Sequence, residues 1–207
     1  MAEERLTPRD GAVLLELARA AIRDATRGSG TVDDLVRRLE IGPALRTPRG
    51  VFVTLRSPAG AGDRGELRGC IGTLAPDLPL YENVIRTAPR SALDDPRFPP
   101  LTAGEVDGLA IEISALTPLR RIASIDEIAI GRDGVRLTCQ GRHSVFLPQV
   151  ALEQRWAAEQ LAEQLALKAG LARDAWRDAE LQVFQTEAFE QRGASGDQVP
   201  RGGSKTR

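Results

Sequence analysis

Apolar positions recur at helical spacing near both ends of this chain, and between those stretches they alternate with the period of strands. Val13, Leu14, Leu17, Ala18, Ala21 and Ala25 mark one face of a helix that ends near Gly28 and Gly30. Thr7-Pro8-Arg9-Asp10 opens it with a hydroxyl cap, a proline at the first helical position and an acid in the first turn. Thr31-Val32-Asp33-Asp34 opens a short second helix carrying Leu35 and Leu39. From Gly50 to Arg56, Val51, Val53 and Leu55 lie opposite Phe52, Thr54 and Arg56, which predicts a strand. A second strand at about Leu67 to Leu74 is its expected hairpin partner across the loop Pro58 to Glu66.

Leu80 to Leu93 reads as a helix with Pro89 inside it, so a kink or break is expected there. Asp95-Pro96-Arg97-Phe98-Pro99-Pro100 then forms an extended, ordered turn. Ala110 to Leu116 alternates as a strand, and Ile128 to Ile130 is expected to pair with Val135 to Leu137 across Gly131 to Gly134. Ser144 to Leu147 adds a short strand. A second amphipathic helix carries Ala158, Leu161, Ala162, Leu165, Ala166 and Ala169 and stops at Gly170. One last strand is expected from Glu180 to Phe189. Strands joined by short turns outnumber helices, which predicts an α+β fold with an antiparallel sheet and argues against a doubly wound parallel one.

Composition narrows the function classes. The 207 residues suit one domain, and a net charge of -1 with few aromatic residues argues against nucleic-acid binding. Of the 28 basic residues only Lys168 and Lys205 are lysines, so a single arginine carries little weight as a clue. No apolar run reaches the roughly 20 residues of a membrane span, and the charged N-terminus is not a signal peptide. Two cysteines are too few for a disulfide framework. These features favour a cytoplasmic protein with free thiols. Gly193 to Arg207 is small, polar and unpatterned, as expected of a disordered tail.

The candidate chemistry centres on Leu67-Arg68-Gly69-Cys70-Ile71-Gly72-Thr73-Leu74. Strand alternation puts Arg68 and Cys70 on one face, where a guanidinium favours a thiolate. Gly69 and Gly72 leave room either for a ligand or for a neighbouring part of the protein. Cys139 is in phase with Val135 and Leu137 and reads as a small core residue. His143 is the only histidine, so it is the one imidazole available as a proton carrier to Cys70; a plain turn residue is the alternative. Asp95 and Arg97 bracket Pro96, with Asp95 suited to bracing the turn. No metal-ligand spacing, phosphate loop, nucleophile elbow or dinucleotide fingerprint occurs, and no cofactor is expected.

In that segment and six others in the same order, the chain resembles the AMMECR domain family, known in microbes as AmmeMemoRadiSam system protein A. The other segments are Asp95 to Leu101, Ile111-Glu112-Ile113-Ser114, Leu116-Thr117-Pro118, Ile130 to Gly134, Phe146-Leu147-Pro148-Gln149-Val150 and Leu167 to Leu171. The resemblance runs over residues 8–191, with 1–7 as a lead and 192–207 as the tail. It implies a main antiparallel sheet flanked by helices and a smaller subdomain, together with association with a Memo-like protein and a radical-SAM enzyme. It names no reaction. An accessory subunit with a small-molecule cleft is the first expectation, with Gly69, Gly72, Thr73, Asp95, Arg97, His143 and Gln149 as candidate lining residues. An enzyme using Cys70, activated by Arg68, is the second.

Overall fold

A twenty-residue helix, α1 (Pro8–Arg27), starts where its cap predicts. The Thr7 hydroxyl accepts from the Asp10 N–H and the Asp10 carboxylate accepts from the Thr7 N–H, so two N–H groups without a helical partner are satisfied reciprocally. The computed structural model describes residues 5–57 and 65–192. The loop expected from Pro58 to Glu66 and the tail expected from residue 193 fall largely or wholly outside them.

The chain divides into two units, Met1–Ala115 with Glu187–Arg207, and Leu116–Thr186. In the first, α2 (Val32–Arg38) and α3 (Pro43–Arg46) lead to the hairpin β1 (Val51–Ser57) and β2 (Glu66–Thr73), then to α4 (Leu80–Leu93) and β3 (Ala110–Leu116). With β8 (Thr186–Gln191) these form a sheet in the order β2-β1-β3-β8. Val51, Val53 and Leu55 pair in antiparallel register with Ala115, Ile113 and Ile111, and all six are buried. Onto that apolar face α1 brings Leu14, Leu17, Ala18 and Ile22, and α4 brings Leu80, Val84, Ala88 and Ala92. Every one of these side chains is withdrawn from water, which is the main stabilising term of the unit.

The smaller second unit is built the same way. Its sheet runs β4 (Arg120–Ile122), β7 (Glu180–Phe184), β5 (Gly134–Cys139), β6 (Arg142–Phe146). The helices are α5 (Pro148–Gln154) and α6 (Ala158–Lys168), and α6 buries Leu161, Leu165 and Ala166 in a core with Val135, Leu137, Leu181 and Val183. Both sheets are antiparallel where strands 1–3 and 4–7 pair, and the fold is α+β.

Of the kink or break expected at Pro89, there is no break: α4 continues through it to Leu93. Two other expectations are corrected. Ile128 to Ile130 form no strand: the N–H groups of Arg132 and Asp133 both return to the Ala129 carbonyl, and both edges of β5 are already taken by β6 and β7. The single last strand is two, because the chain leaves one sheet after Phe184 and enters the other at Thr186.

An uninterrupted α4 sets a test. Proline contributes no N–H for the Ile85 carbonyl, and an interior proline costs about 3 kcal/mol, offset in part by the entropy it removes from the unfolded chain. Pro89→Ala should therefore stabilise the protein by about 1–2 kcal/mol in urea titration; a lower midpoint would show that the ring's packing outweighs the missing bond.

Candidate functional site

Because β2 is an edge strand, half of its backbone polar groups face away from β1 and need other partners. The turn after α4 supplies them. The Cys70 N–H donates to Asp95 Oδ2 at 2.8 Å, and the Cys70 carbonyl accepts from Arg97 Nη2 at 3.3 Å. Asp95 is only 5% exposed. It also accepts from Arg97 Nη2 at 2.7 Å, from Arg97 Nε at 2.9 Å and from the Arg97 N–H at 3.2 Å. The Arg97 guanidinium, joined by the Cys70 and Arg97 N–H groups, overrides burial and holds the Asp95 carboxyl well below the usual carboxylate range. Arg97 is in turn held cationic, first by Asp95 and also by Cys70.

The inner side of β2 is closed by α4. A Cβ on Gly69 would lie 2.0 Å from the Ser91 carbonyl oxygen, so only glycine lets the helix backbone approach this closely. The Ser91 hydroxyl accepts from the Ile71 N–H at 3.0 Å and donates to the Val53 carbonyl at 2.9 Å, tying the helix to both strands of the hairpin. On the outer side a Cβ on Gly72 would strike the Phe52 ring at 2.2 Å. The room at both glycines is thus filled by the protein itself.

Arg68 does not follow the expected alternation. Leu55 pairs with Gly69 and Arg56 with Leu67, which leaves Arg68 as the extra residue of a bulge. Its guanidinium donates to Glu105 Oε1 at 3.1 Å, to the Pro99 carbonyl at 2.6 Å and to the Pro100 carbonyl at 3.4 Å. The cation set against Cys70 is Arg97. Thr73 caps the strand end by accepting from the Ala75 N–H at 3.1 Å. His143, on β6, and Gln149, in α5, are exposed residues of the second unit. The structure brings Cys70, Asp95 and Arg97 together within the first unit.

Two further residues join them through register alone. Thr54 pairs with Cys70 on one side and with Glu112 on the other, so Cys70, Thr54 and Glu112 form one row across three strands on the outer face. The Thr54 hydroxyl lies 3.4 Å from Cys70 Sγ. The Glu112 side chain is half-buried and makes no hydrogen bond or ion pair with any described residue. The only sequence signal for this row is the shared phase of Thr54 and Glu112 within their strands. Cys139 is buried in the core of the second unit. Among the described residues no three His, Cys, Asp or Glu side chains cluster as metal ligands, and no helix is long and apolar enough to cross a membrane.

This chain is an α+β domain protein whose sheet edge is sealed by an aspartate–arginine turn beside a helix that closes on a glycine. The AMMECR1 family model matches residues 15–189, and the chain belongs to that family. It is 37% identical to a protein of Thermofilum pendens over 95% of this chain and 97% of that one. A protein of Thermococcus onnurineus is 40% identical, over 87% of this chain and 90% of the relative. The crystal structure of the uncharacterized protein PH0010 from Pyrococcus horikoshii superposes with a TM-score of 0.76 at 35% identity, covering 92% of this chain and 96% of that one.

The depressed Asp95 carboxyl makes a pH prediction. A carboxyl whose folded pKa lies below its unfolded value of about 3.9 adds stability above that value and loses it as pH falls toward the folded one. Asp95→Asn should cost about 2 kcal/mol near neutrality and flatten the loss of stability below about pH 4. An unchanged acid limb in chemical denaturation of the variant would contradict the assignment.

Proposed function

We propose that this chain is an accessory or binding subunit whose ligand-facing surface is the outer face of the first sheet at Cys70, Thr54 and Glu112, with Arg97 at its rim. The observation that carries this reading is that the groups needed to activate Cys70 are committed elsewhere. Arg68 holds the segment from Pro99 to Glu105, and Asp95 is held by Arg97 and the Cys70 N–H. Among the described residues no carboxylate or imidazole hydrogen-bonds the thiol, so no base is at hand to make it a nucleophile. What the face offers instead is recognition chemistry: an unpaired carboxylate, a hydroxyl, a thiol and a half-exposed guanidinium.

Gly69 supports that surface from the inner side by admitting α4, Gly72 by seating Phe52 on the outer face itself, and Thr73 by ending the strand. The family resemblance supplies the partners for this role, a Memo-like protein and a radical-SAM enzyme, and a small molecule is the ligand to seek. The second reading, an enzyme with Cys70 as nucleophile or redox thiol, draws on the contact between Cys70 and Arg97.

Co-purification with the Memo-like and radical-SAM proteins of the same genome tests the first reading. Glu112→Lys should weaken capture about tenfold. Failure of the wild-type chain to hold either protein, or indifference to Glu112→Lys, would count against it. Alkylation of the native protein, read site by site by mass spectrometry, separates the two readings. Cys70, half-buried, should label before buried Cys139, and Arg68→Ala should leave its rate within about twofold; a large slowing would restore Arg68 as an activator.

A further inference from the structure

A groove of about 560 Å³ lies between α1 and α2, away from Cys70, and four arginines line it: Arg19, Arg23, Arg27 and Arg38. Its size is that of a small-molecule site. Arg19, Arg23 and Arg27 recur every four residues and so share one face of α1. Part of their role is structural, because they clamp the segment from Ala103 to Leu109. Arg19 donates to the Val106 and Leu109 carbonyls at 2.7 and 2.9 Å, and Arg23 and Arg27 both bind the Asp107 carboxylate.

That clamp leaves the charge unbalanced. Two guanidinium groups share the single carboxylate of Asp107, while Arg19 meets only neutral oxygens: two carbonyls and the Gln191 side chain. The Arg38 side chain, on α2, forms no ion pair or hydrogen bond with any described residue, and the neighbouring Asp34 pairs with Arg37. Of the carboxylates nearby, Glu16 lines the groove without pairing with an arginine among the described residues. Asp24 is closed off by the Ser29 and Thr31 hydroxyls and the Thr31 and Val32 N–H groups. Burial and the neighbouring Arg23 charge disfavour the Arg19 cation more than the Asp107 carboxylate favours it, a crowding that a further anion relieves. Buried Leu35 lines the same groove and gives it an apolar wall.

We propose that this groove binds a small soluble ligand bearing a diphosphate group, held between Arg19 on α1 and Arg38 on α2. Arg38 presents an uncommitted fork of paired N–H donors that fits phosphate oxygens, and each terminal nitrogen of Arg19 keeps one N–H beyond those given to the Val106 and Leu109 carbonyls, so the two together select a ligand with two linked anionic centres over a single phosphate. The apolar wall at Leu35 leaves space for an organic group attached to the diphosphate.

Isothermal titration calorimetry of the full chain at constant ionic strength, with inorganic pyrophosphate, ADP and orthophosphate as probes, tests this. Pyrophosphate or ADP should bind saturably, with orthophosphate at least about tenfold weaker. ADP binding tighter than pyrophosphate identifies a nucleoside diphosphate, and equal affinity identifies the phosphates alone as the recognised part. Arg38→Gln should weaken the better ligand about tenfold and Arg38→Glu should abolish saturable binding. Both variants should melt as wild type, since Arg38 holds nothing in the fold. No saturable heat from either diphosphate overturns the proposal, and so does affinity unaffected by both Arg38 variants.

Discussion

The close approach of the α4 backbone to β2 at Gly69 is the contact on which the first unit depends. With a Cβ position 2.0 Å from the Ser91 carbonyl, the helix reaches its place only because residue 69 has no side chain. The Ser91 hydroxyl then joins β1 to β2 from above, and the turn leaving α4 delivers Asp95 to the free edge of the same strand. Helix, sheet and edge seal are therefore one structure. Arg68 extends it by fixing the segment from Pro99 to Glu105, which leads into β3. The segment that carries the most specific motif of the chain is thus a structural junction.

The second unit uses the same physical devices with other residues. Ser144 on β6 donates to the Leu165 carbonyl of α6 at 2.7 Å, a hydroxyl tie between sheet and helix. Asp133 is buried, and burial alone disfavours its charge; hydrogen bonds from Arg132, the Ala129 N–H and Gln185 nevertheless hold its carboxyl below the usual range. An aspartate braced by an arginine close in sequence orders a turn in each unit, which satisfies backbone groups that no strand reaches.

Helices and strands were legible in the sequence wherever local chemistry decides them. The Thr7 cap, the alternation of β1 and β3 and the stripe of α6 depend only on neighbouring residues. Prediction failed where a distant partner decides. Ile128 to Ile130 alternate well enough for a strand, but β5 has no free edge for them and Asp133 gathers the backbone into a turn. Glu180 to Phe189 reads as one strand because nothing local marks the change of sheet at Gln185. The site shows the same limit. Cys70, Asp95 and Arg97 stand out as residue types, yet a bulge of one residue redirects Arg68, and cross-strand register alone adds Thr54 and Glu112.

The central claim is that Gly69 makes room for α4 and not for a ligand. Gly69→Ala, followed by chemical denaturation and amide hydrogen exchange, addresses it directly. Overpacking against rigid helix backbone should cost about 3 kcal/mol and speed exchange at the Ile71 N–H, whose acceptor is the Ser91 hydroxyl. A variant of wild-type stability and protection that has lost partner or ligand capture would contradict the account, since the space at Gly69 would then belong to the bound molecule.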